Sequence, residues 1–180
     1  MESLGGHLLI AGPSLWDPNF RRTVVLVGHH DDEGAVGVVL NRVLDVTVGE
    51  AVPVLGLIAD PAEPIHRGGP VQEASVVVVA EFADPADAGV LAFGSIGFLP
   101  DESGEGVISS VLRARVFAGY TGWGAGQLEQ ELAENSWVVE PARAEDVFHP
   151  EPARLWGDVL RRKGRGYDLL RLMPTDPSLN

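Results

Sequence analysis

The sequence contains no cysteine among its 180 residues. Disulfides, thiolate metal ligands, a cysteine nucleophile and a thiol-based redox cycle are therefore excluded within this chain. Basic residues are also scarce, since 13 Lys and Arg oppose 26 Asp and Glu and give a formal net charge of −13. Because such a charge repels a phosphate backbone, we expect no direct binding to nucleic acid.

Long apolar runs are missing too. The longest, such as 74–80, fall far short of the roughly 20 residues that a membrane helix needs. The amino-terminal stretch has an acid at Glu2 and no basic residue before its short apolar segment, so it does not resemble a secretory signal. We expect a cytoplasmic protein without membrane contact, with one domain over residues 1–173 and a loose tail at 174–180.

Valine-rich runs bounded by turn residues predict short strands, and their uniformly apolar character indicates strands that are covered on both faces. The polar segment HHDDEG between the second and third runs is typical of a hairpin turn, so these two strands are expected to pair antiparallel. Strands are predicted at 8–11, 23–28, 35–40, 75–80, 115–121 and 136–140.

Helices are fewer. Thr47 and Glu50 form a capping-box pattern for a short helix that Pro53 must end or kink. A second helix is predicted at 126–134 and a third at 151–163, with a buried face made of Leu155, Trp156, Val159 and Leu160. The segments 59–64, 82–89 and 100–106 combine Pro, Gly and acids and are expected to be loops. Helices that interrupt strands irregularly favour the α+β class.

A glycine-packed segment at 119–126 is the first candidate site. It is predicted to form a turn before a helix, where the amides around Gly122 and Gly124 could bind a phosphate or carboxylate, and Trp123 could stack on a flat ligand. The alternative is close packing of two elements, because neither GxxxxGK[ST] nor GxGxxG is present.

Five consecutive potential metal ligands occur at 29–33. Adjacent strand residues point to opposite faces, so His29 and His30 do not easily share one ion, and a solvated turn is favoured over a metal site. Completing such a site would need distant residues such as His66 or His149. We expect no metal and no cofactor.

Two arginines stand at predicted strand ends. Arg42, preceded by Asn41, and Arg67, followed closely by Gly69, could clamp a carboxylate or phosphate through bidentate hydrogen bonds. They could equally bond backbone carbonyls and acids of this chain. No nucleophile elbow or triad pattern is present, so no catalytic residue is predicted.

Several segments taken in order resemble the AlgH/YqgE family of bacterial proteins: PSLWDPNFRRTVVLVGHHDDEGAVGVVLNR, TVGE, RGGPV, GYTGWGAGQLEQEL and the tryptophan of NSWVV. The resemblance implies a single α+β domain of coiled or bifurcated, mostly antiparallel sheets with a few flanking helices. It also implies a cytoplasmic protein without an established enzymatic activity, from a family described as transcriptional regulators. The family motifs place candidate binding residues at His30, Asn41, Arg42, Arg67, Gly69, Trp123 and Gln127.

Two functions remain open. The leading hypothesis is a non-enzymatic binding or regulatory protein that acts through a protein partner or a small anionic ligand. Any regulation of transcription is then indirect. The alternative is an enzyme of unknown reaction in which the glycine turn holds an anion while an acid or His30 moves a proton.

Overall fold

Ten strands form the framework of the computed structural model, which describes residues 2–172; the predicted tail at 174–180 lies outside this range. The strands are β1 His7–Ala11, β2 Val24–Asp31, β3 Gly34–Val39, β4 Val43–Thr47, β5 Pro64–Arg67, β6 Val71–Phe82, β7 Val90–Phe93, β8 Ile96–Phe98, β9 Val111–Gly124 and β10 Trp137–Pro141.

Helices fill the connections and lie on both faces of the sheet. The α-helices are α1 Val48–Ala51, α2 Glu105–Ser110, α3 Gln127–Ala133, α4 Ala144–Val147, α5 Pro152–Lys163 and α6 Arg165–Asp168. Short 3₁₀ helices occur at Pro53–Leu57, Pro85–Asp87 and Leu169–Leu172. No helix within residues 2–172 is both long and apolar enough to cross a membrane.

The strands join into one sheet with the order β10-β1-β2-β3-β9-β6-β8-β7, and β5 pairs with β4 and β9. The β5–β9 ladder is parallel, and the others are antiparallel. The sheet curls on itself, because the ring of Phe98 on β8 lies against the backbone of Gly28 on β2, with no room for a Cβ there. The predicted α+β class is confirmed.

The long strand β9 is where the sheet divides. Its residues 121–124 pair with β3, whereas residues 111–118 pair with β6. The amide of Gly68, just after β5, donates to the carbonyl of Ala118, and the amide of Val39 on β3 donates to Gly68. β3 and β5 therefore follow each other along one edge of β9, and β6 occupies the other edge, as the predicted bifurcated sheet requires.

Helix α5 seals the interior of the curled sheet. All four residues of its predicted apolar face are buried and pack into the largest core cluster, which includes Phe117 of β9. The last turn of α5 also covers the outer edge of β10, where Lys163 Nζ donates to the carbonyl of Val139 and Arg162 donates to that of Pro141.

The predicted glycine turn at 119–126 is wrong for most of its length. Gly119, Gly122 and Gly124 lie in β9, and only residues 125 and 126 form the turn before α3. Gly119 adopts φ 72° and packs against the carbonyl of Gly69, so its missing Cβ permits a close approach of two backbones. In the sequence these glycines indicate a turn, but in the structure they let a strand lie close to a neighbouring backbone.

Other local predictions fare better. The hairpin of β2 and β3 is confirmed, but the strands run further than expected and leave only Asp32 and Glu33 in the turn. The capping box of α1 is confirmed by hydrogen bonds between Thr47 and Glu50 in both directions. The sequence patterns missed β4, β7, β8, α2, α4 and α6, and they placed Arg67 at a strand end without giving bounds for β5.

The prediction that the valine-rich strands are covered on both faces is correct for only some of them. β1 and the first five residues of β2 are almost entirely buried, as expected. At the start of β6 the expectation is wrong, because Val76 is 49% exposed and Val77 is only partly buried. β8 joins β6 no earlier than Val78, whose carbonyl accepts from Leu99, so the preceding residues lack a covering strand on that edge.

Candidate functional site

Asn41 and Arg42 hold the chain around the end of β3. The Asn41 amide donates to the carbonyl of Arg22 at 2.8 Å and accepts from the amide of Val24 at 2.9 Å. The guanidinium of Arg42 donates to three backbone carbonyls, those of Pro18, Asn19 and Arg21. Of the two alternatives for these residues, backbone bonding is therefore the one seen among the described residues.

Arg67 and Gly69 lie on the next segment of the same region. Arg67 donates to Glu73 at 2.6 Å and more weakly to Asn19 at 3.4 Å. Gly69 sits directly against the backbone of Tyr120, where an added Cβ would come within 2.2 Å of the carbonyl oxygen. Arg67 thus keeps an exposed ion pair, and Gly69 serves backbone packing.

A cavity of about 280 Å³ opens beside Asn41 and Arg42, and we call it the arginine cavity. Its lining combines three guanidinium groups with the first turn of α5 and an indole ring: Arg21, Arg22, Asn41, Arg42, Ala153 and Trp156. The guanidinium carbon of Arg22 lies 4.8 Å from the centroid of the Trp156 ring, a cation–π contact. Sequence reasoning found Asn41 and Arg42 but missed Arg21, Arg22 and the helix end.

The environment of the arginine cavity disfavours the charged forms of two of its arginines, Arg22 and Arg42. Burial, and then the charges of Arg67 and Arg21, lower the pKa of Arg42, against which Asp17 acts as an opposing charge. Burial and the neighbouring Arg21 likewise lower the pKa of Arg22. Like charges are thus concentrated at this point of a chain whose net charge is strongly negative.

His30 is buried between the amino-terminal segment and α3. Its Nδ1 accepts from the amide of Leu4 at 3.0 Å, so Nε2 carries the proton and donates to Glu129 at 2.7 Å. The backbone amide of Glu129 itself, and then His30, lower the pKa of that carboxyl. A polar cavity of about 240 Å³ adjoins the pair.

His29 behaves differently from its neighbour. Its side chain is 60% exposed and pairs with Asp31, whose pKa is lowered first by this hydrogen bond. The side chain of His30 is only 3% exposed, so the two rings lie on opposite faces, as strand geometry predicts. Within residues 2–172, no group of three or more potential ligands is arranged to hold a metal ion.

Trp123 belongs to a hydrogen-bonded cluster under α3. Its indole N–H and that of Trp137 donate to the same oxygen of Glu131, at 2.9 and 2.7 Å. Gln127 bridges the cluster to β9, because it donates to Glu131 and accepts from the amide of Gly124. The amide expected to bind an anion is therefore already bonded within the chain.

The predicted site residues fall into two groups. His30 lies opposite Ala35, and Ala35 lies opposite Trp123, so these residues share one end of β3 together with Gly122, Gly124 and Gln127. Asn41 lies six residues further along, a distance of about 20 Å at the usual rise of a strand. Asn41, Arg42, Arg67 and Gly69 form the second group, too distant from the first for one small ligand.

A larger concave surface than the two cavities above lies elsewhere, and we call it the valine groove. It has a volume of about 720 Å³ and runs between the β2–β3 hairpin and the open start of β6. Its lining is largely apolar: Gly28, His29, Val36, Val52, Leu55, Val76, Val77, Val78, Gly89, Val90, Phe98, Leu99, Pro100 and Asp101.

Sequence reasoning missed the valine groove. Val36 and Val76 are 43% and 49% exposed, yet they lie in strands that the sequence predicts to be covered on both faces. Val90, which is 44% exposed, lies in β7, which the sequence patterns did not predict. A run of four valines has no polar residue to mark which face meets water, so its pattern carries no information about exposure.

Two basic side chains, those of His66 and Arg115, are buried close to each other. The ring nitrogens of His66 make no hydrogen bond of good geometry within residues 2–172. Burial, followed by the charge of Arg115, lowers the pKa of His66 to about 4, against a smaller opposing effect of the Pro64 backbone. Arg115 donates to the carbonyls of Val147 and His149 and pairs with Glu63. His66 is therefore neutral near pH 7 and packs as a ring against Phe117.

Comparison with known proteins identifies the family of this chain. A family model described as AlgH-like matches residues 8–168. The chain belongs to the AlgH-like family. It is 42% identical over 187 residues to a UPF0301 protein of Streptomyces avermitilis, with 100% of the chain and 97% of the relative covered. A UPF0301 protein of Chlorobaculum tepidum is 38% identical over 181 residues, with 97% and 95% covered.

Solved structures agree with this assignment. A crystal structure of a Corynebacterium diphtheriae protein matches with a TM-score of 0.84 and 31% identity, over 94% of this AlgH-like chain and 92% of the other. The solution structure of the AlgH protein from Pseudomonas aeruginosa matches with a TM-score of 0.67 and 28% identity, over 95% and 94%. The resemblance inferred from the sequence motifs is confirmed.

Proposed function

We propose that this AlgH-like chain is a cytoplasmic, non-enzymatic binding protein that recognises a protein partner in the valine groove. One observation carries the proposal: a concave surface of about 720 Å³ is lined mainly by apolar residues, among them partly exposed valines. Contiguous exposed apolar patches on a protein mark surfaces that bind partners. A regulatory role, as the family description implies, would then be indirect and would pass through this partner.

The form of the groove favours an extended segment of the partner. Ala118 bonds Gly68 on the far edge of β9, so Val76, which lies opposite Ala118, forms a non-hydrogen-bonded pair with it. The N–H and C=O of Val76 consequently face the groove instead of β9. Such groups suit a partner main chain that lies alongside a sheet edge.

Charge specifies the partner further. The chain carries a net charge of −13, and Asp101 contributes a carboxylate to the groove wall. A segment with apolar side chains for the valines and basic residues beside them would be complementary in both shape and charge.

The enzyme alternative is less well supported. It depended on a glycine turn that holds an anion, whereas that segment is mainly strand and the amide of Gly124 bonds Gln127. The alternative also needed an acid or His30 to move a proton, and the two ring nitrogens of His30 are engaged by Leu4 and Glu129.

A labelled peptide of alternating valine and arginine tests the proposal by fluorescence anisotropy. We expect binding to the wild type, at least about tenfold weaker binding to Val36→Ser, and unchanged binding to Val54→Ser, which makes the same change outside the groove lining. A peptide of alternating serine and arginine controls for charge alone. Equal binding of the two peptides, or of the two variants, would show that the valine groove is not the recognition surface.

A further inference from the structure

We propose that the arginine cavity is a binding site for a phosphate group, separate from the valine groove. Arg21, Arg22 and Arg42 line one small cavity in a chain that carries twice as many acidic as basic residues. Guanidinium groups are the side chains best suited to phosphate oxygens, because their planar donors bind in pairs and remain charged.

Like charges lie close together in the arginine cavity. Burial, and then the nearby arginines, lower the pKa of both Arg22 and Arg42, so the folded protein disfavours the cations that it collects here. A bound anion would reverse this effect, since an opposite charge in the cavity stabilises the charged form of each guanidinium.

The start of α5 adds a second source of positive potential. Ala153, in the first turn of this 12-residue helix, lines the cavity, and the side chain of the preceding N-cap residue, Glu151, makes no capping hydrogen bond. Pro152 has no N–H, so the amide of Ala153 is the first main-chain donor of the helix. Amides at a helix start, together with the helix dipole, favour an anion.

Size and shape limit the ligand. A volume of about 280 Å³ accommodates a phosphate group together with a small group that carries it, and Asn41 and Arg42 are fixed by their bonds to the backbone. The cavity is therefore preformed. The Trp156 ring lies under the guanidinium of Arg22 and so holds that cation in place.

Isothermal titration calorimetry with inorganic phosphate tests the site directly, with chloride at matched ionic strength as the reference. We expect saturable phosphate binding to the wild type that weakens at least about tenfold in Arg21→Gln. Arg154→Gln, on the same helix but outside the cavity lining, should bind as the wild type does. Phenyl phosphate in place of inorganic phosphate distinguishes a phosphate carried on a ring from the free ion.

A variant that carries its own carboxylate at the cavity gives a second test. Ala153→Glu places a carboxylate at the cavity, where it competes with phosphate, and an acid in the first turn of a helix is compatible with folding. We expect Ala153→Glu to lose phosphate binding and Ala153→Gln to retain it. Absence of saturable binding to the wild type, or equal binding to both Ala153 variants, would overturn the site, whatever the valine groove binds.

Discussion

The indole rings of Trp123 and Trp137 meet edge to face, with centroids 6.1 Å apart, and their N–H groups share one oxygen of Glu131. Both indoles are buried, and this partly buried carboxylate is the acceptor of both. Glu131 thereby fastens α3 to both β9 and β10.

Glu131→Ala should accordingly destabilise the protein by about 2–4 kcal/mol, because two buried donors lose their acceptor. Glu131→Gln retains an acceptor oxygen and should cost about 1 kcal/mol. Urea denaturation measures both. Glu134→Ala, which removes only a surface partner of Gln130, serves as the control and should stay within about 0.5 kcal/mol of the wild type. Equal losses in Glu131→Ala and the control would contradict the shared-acceptor account.

His30 should govern the order of the amino-terminal segment. His30→Phe keeps a buried ring but removes the acceptor for the Leu4 amide and the bond to Glu129, so residues 2–11 should exchange amide hydrogens faster. Hydrogen-exchange mass spectrometry of that segment gives the measurement. His29→Phe changes the adjacent, exposed ring and should leave exchange unaltered; faster exchange there would show a general effect of the substitution.

His66 predicts a pH dependence of stability. Its pKa is about 4 in the folded protein and about 6.5 when unfolded, so between these values the unfolded state binds the additional proton. The free energy of unfolding should therefore fall as pH decreases from about 6.5 to 4, by about 3 kcal/mol from this group.

The comparison variant for this effect is His66→Leu. It replaces a buried ring that makes no hydrogen bond of good geometry within residues 2–172 with an apolar side chain, so it should be near neutral at pH 7. Urea denaturation of both proteins between pH 4 and 7 isolates the effect, because the other titrating groups are common to both. Parallel stability curves would refute it.

Two glycines should respond oppositely to alanine. Gly69→Ala forces a Cβ to within 2.2 Å of the Tyr120 carbonyl oxygen and should destabilise by about 3 kcal/mol. Gly157→Ala in α5 meets no atom within 4 Å and should stabilise by about 0.5–1 kcal/mol, since alanine restricts the unfolded chain and suits a helix. Thermal unfolding of the pair checks the sign of each change, and a shift of the same sign in both would contradict it.

Local patterns predicted those parts of the fold that local interactions decide. The β2–β3 hairpin, the capping box at Thr47 and the buried face of α5 follow from turn chemistry and periodicity. The path of β9 does not, because Gly119 and Gly122 are equally compatible with a turn and with a strand pressed against neighbouring backbones. The short strands β7 and β8 give too little periodicity to recognise.

The residues of the candidate sites were likewise predictable only where local sequence patterns determine them. Asn41 and Arg42 were found from their position at a strand end, and the structure adds Arg21 and Arg22 through the course of the chain before β2. The approach of α5 to this region joins residues more than 100 positions apart, such as Trp156 and the carbonyl of Ala11. No local pattern encodes such a contact, so the cavity becomes visible only once the chain is folded.

Lys163 and Arg162, lying along the margin of β10, bear on how crowded copies of this molecule behave. Unsatisfied carbonyls on a terminal strand are the template from which sheets extend between molecules and fibrils nucleate. Here two cations occupy those acceptors, and an approaching copy would meet charge instead of a free ladder. Pairing with a second copy along that margin is thereby disfavoured.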